Sequence, residues 1–222
     1  MVSKMIKIND PICISIPVNE NGEKMVNLLD LDRIFLLLDT KVHSESISGN
    51  SENPFARLSV KEMLGNALVT LPAQYGMVLI ESYRTYDFQK QLFDSKVNYL
   101  IAQRQISNKD AEIEASRFVS NPDIYSPHVT GGAIDIGLIH LDSKELVDMG
   151  NNFIYDESAQ IDFLNLTTTQ IENREFLIKI MTEAGFVNYP FEWWHWSYGD
   201  KYWAMVKGEP SAFYDSLQEV GS

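Results

Sequence analysis

The sequence predicts an α+β fold in which an antiparallel sheet is flanked by helices. Three observations lead there. Helical periodicity is clear over Leu58–Gln74, Tyr86–Gln105 and Glu172–Ala184. Short β-prone runs lie between and after them: Met77–Tyr83 (MVLIESY), Gly132–Ile139 (GAIDIGLI) and the aromatic Glu192–Tyr198 (EWWHWSY). Helices and strands do not alternate in a βαβα rhythm, which argues against a parallel sheet. The 222 residues are read as one domain, 1–222, with 45% apolar and 22% charged residues, enough to bury a real core.

Taken in order, the N-terminal stretch MVSKMIKINDPICISIPVNENGEK has two early lysines. Asn9, Asp10 and Pro11 break any apolar run there, so no signal peptide is expected. Val42–Pro54, rich in Ser and Asn, reads as a surface loop. In Leu58–Gln74, Val60, Met63, Leu64, Ala67 and Leu68 recur at three-four spacing. The Met77–Tyr83 run ends at Arg84. Thr85 is a natural N-cap for the next helix, with Asp87 in its first turn. Phe88, Leu92, Tyr99 and Leu100, with Val97 beside them, mark its expected apolar face. A third helix is expected over Ala111–Val119. Phe176, Leu177, Ile180, Met181 and Ala184 share one face of the Glu172–Ala184 helix, and Gly185 stops it.

Acidic residues number 31 against 18 basic ones, a net charge of −13 dispersed along the chain. Such a surface repels phosphate backbones and anionic lipid, so neither nucleic acid nor membrane is an expected partner. Cys13 is the only cysteine, which excludes an intrachain disulfide and a thiolate metal cluster. No run approaches the ~18–20 apolar residues of a membrane span. Cytoplasm is the expected location.

Chemistry concentrates at two of the four histidines, His43, His128, His140 and His195. His128 sits in Ser126-Pro-His-Val-Thr-Gly-Gly-Ala-Ile-Asp135. Pro127 holds the chain extended before it, and Gly131 and Gly132 permit a tight turn into a strand. Asp135 follows seven residues after His128 inside an otherwise apolar run. A carboxylate buried there is costly unless it is paired or binds a metal. The second histidine ends Glu192-Trp-Trp-His195. In a regular strand residues three apart face opposite sides. Glu192 and His195 therefore share a site only if a bulge intervenes or if Glu192 precedes the strand. Two histidines and one carboxylate are a common zinc set with an open fourth position. A further carboxylate outside the ligand set can take a proton from water there, and Glu192 is the candidate. The same ligand types also hold iron in oxygenases, but the spacing of His128, Asp135 and His195 is not their H-x-D plus distant His. Each motif alone is no better than even against an ordinary loop histidine, a paired buried Asp or an aromatic core stripe. Their conjunction, with Arg84 at a strand end, is what favours a site.

The pattern S-x-H-x-x-G-x-A-x-D followed by E-x-W-H resembles the zinc D,D-peptidases related to the Hedgehog signalling domain. Glu81-Ser-Tyr-Arg84 resembles their D/E-x-Y-R-P element, and Leu146–Gly150 a segment after the metal strand. Asn173–Phe176 and Met181–Pro190 lead into EWWHWSYGDKYWA, a set similar to the D-alanyl-D-alanine dipeptidases, including those of vancomycin resistance. The resemblance runs from about Leu58 to Ala204. It implies a Hedgehog/D,D-peptidase fold and one Zn2+ per chain held by His128, Asp135 and His195. Glu192 would be the general base, Arg84 would stabilise the oxyanion, Ser126 would hold the substrate backbone and Glu81 would shape the pocket. The implied substrate is the small dipeptide D-Ala-D-Ala, split into two D-alanines; oligomeric state is left open. Alternatives are a carboxypeptidase trimming longer peptidoglycan stems and a zinc-stabilised binding module without catalysis, the latter disfavoured by Glu192. Two departures stand out. Thr85 replaces a Pro after the Arg, and Ile154 stands after Phe153 where the family has an Asp that reads the substrate amino end. Asp156 or Glu81 is the expected substitute for that Asp, with discrimination against blocked amino ends weakened.

Overall fold

A computed structural model describes residues 5–37 and 54–217. The Val42–Pro54 loop, apart from Pro54, lies outside the described residues, as does His43. Seven described strands form two sheets: β1 (Met25–Asn27), β2 (Ile34–Leu36), β3 (Phe55–Arg57), β4 (Tyr75–Glu81), β5 (Ala133–His140), β6 (Val187–Asn188) and β7 (His195–Ser197). β1 pairs with β3, and the larger sheet runs β2-β4-β5-β7-β6.

The pairs β4–β5, β5–β7 and β6–β7 are antiparallel, as expected, but β2 lies parallel to β4. The sheet is therefore mixed at one edge, a correction to the antiparallel reading. The chain between β2 and β4 carries β3 and a helix, the crossover that a parallel pair needs. With only three residues, β2 is too short to show a period in the sequence.

β5 is buried along its first six residues, on both faces, which is why its sequence is a continuous apolar run. Two helices supply side chains to the same core: Leu58–Thr70, through Val60, Leu64 and Leu68, and Thr168–Glu183, through Leu177, Ile180 and Met181. Their ends follow local chemistry more than periodicity. The first stops at Thr70 because Leu71 precedes Pro72 and is extended. The second starts at Thr168, before the expected Glu172, because Thr167 and Gln170 form a capping box. The third expected helix, placed by periodicity at Ala111–Val119, is Asn108–Ala115, since the Ser107 side chain caps Asp110 N at 3.2 Å.

The helix Tyr86–Arg104 begins at its expected cap, with Thr85 Oγ1 accepting from Phe88 N at 3.3 Å. Its buried face differs from the expected one. Phe93, Val97 and Leu100 pack on Ala111 and Ala115, while Tyr99 is 57% exposed. The helix carries two apolar stripes, and the one with Leu92 and Tyr99 faces a cleft. No described helix is long and apolar enough to cross a membrane.

One buried cation organises the chain between β5 and the next helix. Arg174, 2% exposed, donates from Nε to Met149 O (2.8 Å), from Nη1 to Gln160 O (2.6 Å) and from Nη2 to Ser158 O (2.7 Å). Burial pushes its guanidinium down to about 10. A lysine cannot span three carbonyls with one ammonium. Arg174→Lys should therefore lose about 1–3 kcal/mol of stability in urea unfolding. An unchanged midpoint would show that the clamp contributes nothing.

Candidate active site

Strand register brings the first two site residues together. Asp135 in β5 pairs directly with His195, the first residue of β7. Directly opposed residues on antiparallel strands project to the same face. His195 Nδ1 lies 3.0 Å from Asp135 Oδ1. His128 arrives from the short 3₁₀ turn Pro127–Thr130. That turn closes at Gly131, whose φ of 72° is left-handed. A Cβ on the next residue, Gly132, would collide with the Tyr198 carbonyl. The two glycines thus allow the histidine turn to fold back against the start of β5.

His128 Nε2 stands 3.2 Å from His195 Nδ1 and 3.5 Å from Asp135 Oδ1. All three residues are buried. Metal–ligand bonds of ~2.0–2.1 Å at tetrahedral angles separate ligand atoms by about 3.3 Å. The three donor atoms match that spacing, and two imidazoles with one carboxylate suit zinc. The remaining ring nitrogens support the arrangement. His128 Nδ1 lies 2.8 Å from Ser82 O, so it carries the proton and leaves Nε2 free to bind metal. His195 Nε2 is 3.5 Å from Ser197 Oγ. Burial raises the Asp135 carboxyl, but the charge and hydrogen bonds of His128 and His195 outweigh it and hold the group well below the usual carboxylate range.

Glu192 precedes β7, which decides between the two possibilities left open by its spacing. A turn closed by His195 N donating to Glu192 O at 3.0 Å carries it round to the cleft wall beside His195. Burial pushes its carboxyl up to about 7, with Asp135 and Glu81 adding to the shift, and His195 and Arg84 opposing it.

Arg84 follows β4 and is held from three sides. Its Nε donates to Glu81 Oε1 at 2.7 Å, Nη2 donates to Glu81 Oε2, and Nη1 to Gln89 Oε1. Its backbone N donates to His128 O at 3.1 Å. Burial favours its neutral form, but Glu81 overrides this and keeps it charged. Glu81 itself pairs with Asp135 across β4–β5, where the register shifts after Leu79. That irregularity re-aims it toward Arg84. Ser126, 1% exposed, lines the cleft immediately before the His128 turn.

The cleft holds about 580 Å³ and is walled by Arg84, Ser126, His128, Glu192 and His195 on one side. Leu92, Lys96, Tyr99 and Phe118 form the other side, and Tyr155 also reaches it. Ile154 does not line it and is 45% exposed. Asp156 Oδ1 accepts from Ser158 N (2.8 Å), Ser158 Oγ (2.5 Å) and Asn151 Nδ2 (3.2 Å), within its own loop. The sequence reading missed Gln89 and Tyr155. Gln89 is buried but stands between Phe88 and Lys90 in the sequence, where nothing marks it, and Tyr155 carries no signal beyond its place beside Ile154.

A family model described as D-ala-D-ala dipeptidase matches residues 56–213. The D-alanyl-D-alanine dipeptidase of Enterococcus faecalis is 33% identical over 132 residues, covering 57% of this chain and 64% of that enzyme. The Synechocystis D-alanyl-D-alanine dipeptidase is 26% identical over 221 residues, covering 86% of this chain and 88% of its own. The chain thus spans less than two thirds of the enterococcal relative and most of the cyanobacterial one. Among solved structures, VanYB in complex with D-alanine-D-alanine has a TM-score of 0.44 and 19% identity, covering 70% of this chain and 79% of that one. The family assignment stands on the sequence match alone.

Metal analysis after dialysis should find about one zinc per chain and a large loss in His128→Ala. Equal zinc in both proteins would overturn the ligand set.

Proposed function

Because the chain belongs to the D-Ala-D-Ala dipeptidase family, we propose that it is a zinc peptidase that hydrolyses the D-Ala-D-Ala dipeptide to two D-alanines. The observation that carries this reading is the convergence of His128, Asp135 and His195 beside a carboxylate, Glu192, that is not among the three grouped ligands. Zinc, held by His128, Asp135 and His195, would supply a Lewis acid able to polarise a carbonyl and acidify water.

The chain's own groups do the rest. Glu192 takes the proton of the attacking water and passes it to the leaving amine. A carboxyl pushed up to about 7 is suited to both halves of that transfer. Arg84 faces the carbonyl oxygen as it gains charge, held in place by Glu81 and Gln89. The Ser126 hydroxyl holds the substrate backbone. The reading takes a small peptide as substrate, a cytoplasmic location, and neither nucleic acid nor membrane as partner.

A second reading, release of terminal D-Ala from longer peptides, is favoured by one feature of the cleft. Among its described lining residues Glu192 is the one carboxylate. Glu81 is bound to Arg84, and Asp156 is engaged within its loop. A free dipeptide's ammonium therefore lacks a dedicated partner there, which relaxes selection for it. N-acetyl-D-Ala-D-Ala should be cleaved with kcat/KM within about 10–100-fold of the free dipeptide, not the 10⁴–10⁵ of a site built around that group. Complete rejection of the acetylated substrate would exclude this relaxed selectivity.

Glu192→Ala should retain zinc and lose on the order of 10²–10⁴-fold in turnover. In the wild type, activity should fall as pH drops and Glu192 takes up a proton, on a limb above the ordinary carboxylate range because its pKa is raised. Full turnover in Glu192→Ala would end this mechanism.

A further inference from the structure

Met149–Gln160 is an anchored segment with one side chain directed into the cleft. Arg174 binds the carbonyls of Met149, Ser158 and Gln160. Asn151 closes the middle, accepting from Ile154 N at 2.9 Å and donating to Ile154 O at 3.0 Å. Phe153 adopts a left-handed φ of 62°, and its buried ring lies 5.1 Å from that of Trp193. After these anchors comes Tyr155, its ring edge-on to Trp194 at 5.5 Å. Trp194 adjoins His195 in the chain.

Tyr155 lines the cleft with Arg84, His128, Glu192 and His195, and its neighbour Ile154 does not. The side chain is 47% exposed, so a substrate can reach it. Its hydroxyl makes no hydrogen bond among the described residues. Desolvation of the hydroxyl within the cleft, then the charges of Glu192, Asp135 and Glu81, raise the phenol against the opposing effect of Arg84. A phenol ordinarily titrates near ~10, so this one keeps its proton at neutral pH.

Arg84 leaves room for such a donor. A guanidinium has five N–H groups, and three of them are committed to Glu81 and Gln89. Two remain, so the arginine alone does not use up the hydrogen-bond capacity of an oxygen that gains negative charge.

We propose that Tyr155 is a catalytic residue, whose hydroxyl donates a hydrogen bond to the substrate oxygen that gains negative charge, alongside Arg84. This rests on the hydrolytic reading of the site. The phenol keeps its proton throughout, and no bond to it forms or breaks. Its bond to the oxygen strengthens as the carbonyl becomes an oxyanion, so it acts mainly on the transition state.

The experiment compares wild type with Tyr155→Phe, which keeps the ring on Trp194 and removes the hydroxyl. Zinc content and thermal midpoint should be unchanged. The kcat for D-Ala-D-Ala, or for its N-acetyl form, should fall on the order of 10²-fold. KM should move by less than about threefold, and a phosphinate analogue of the dipeptide should bind more weakly by the same factor as kcat/KM falls. A kcat within threefold of wild type would overturn the proposal. So would a loss confined to KM, which would make the hydroxyl a ground-state contact. Ile154→Ala, outside the cleft, should leave kcat unchanged; an equal loss there would assign the effect to the loop and overturn the role of the hydroxyl. If the wild type cleaves neither substrate, the hydrolytic reading itself fails and this inference falls with it. An active wild type with an unaffected Tyr155→Phe removes only the inference.

Discussion

Asp135 faces His195 across the β5–β7 ladder, and the remainder of the site is arranged around that pairing. Side chains alternate between the faces of a sheet, so a slip of one residue would turn both away together with every core residue of those strands. Register is strongly held here because β5 is buried on both faces along its first six residues. The candidate metal site thus draws its geometry from the same packing that stabilises the sheet. His128 is the exception, since it comes from a turn. Gly131 and Gly132 bring it within 3.5 Å of Asp135, in space where a side chain at position 132 would strike Tyr198.

The aromatic block after Glu192 links catalysis to the core. Trp193, Trp194 and Trp196 are among the largest fully buried side chains. Trp193 N donates to Ala159 O at 2.9 Å, and Ile161 N donates to Pro190 O at 3.0 Å. The turn that carries Glu192 and the loop that carries Tyr155 are therefore joined by backbone bonds as well as by ring contacts. Arg174 fixes the far side of that loop, and its guanidinium lies 5.8 Å from the Trp193 ring. A change in any of these three parts is felt by the other two.

How much of this could be read from sequence depended on whether a residue broke its local pattern. Asp135 in an apolar run and His195 among tryptophans are anomalies, and both stand in the metal cluster. Thr85 capped its helix because capping is a local interaction. Long-range pairings left no such trace. β2 was invisible because three residues have no period, and its parallel partner is far along the chain. In Tyr86–Arg104 two apolar stripes compete, and only the packing of Ala111 and Ala115 selects the buried one. Tyr155 follows an ordinary loop residue; its direction is decided by the anchors on either side of it.

Charge explains why these carboxylates tolerate one another. Glu81 and Asp135 are paired across adjacent strands, and Glu192 lies close enough to feel both. Burial raises the Glu192 carboxyl, and the charges of Asp135 and Glu81 add to the shift. Glu81 is neutralised by Arg84 at 2.7 Å. A buried ion pair of this kind contributes little net stability, because desolvation offsets most of the attraction. What it contributes is direction: three of the guanidinium's donors are fixed, and the other two are free for the substrate. Asp135 and Glu192 remain, two buried carboxylates with the two imidazoles beside them. A divalent cation held by His128, Asp135 and His195 would balance both carboxylates.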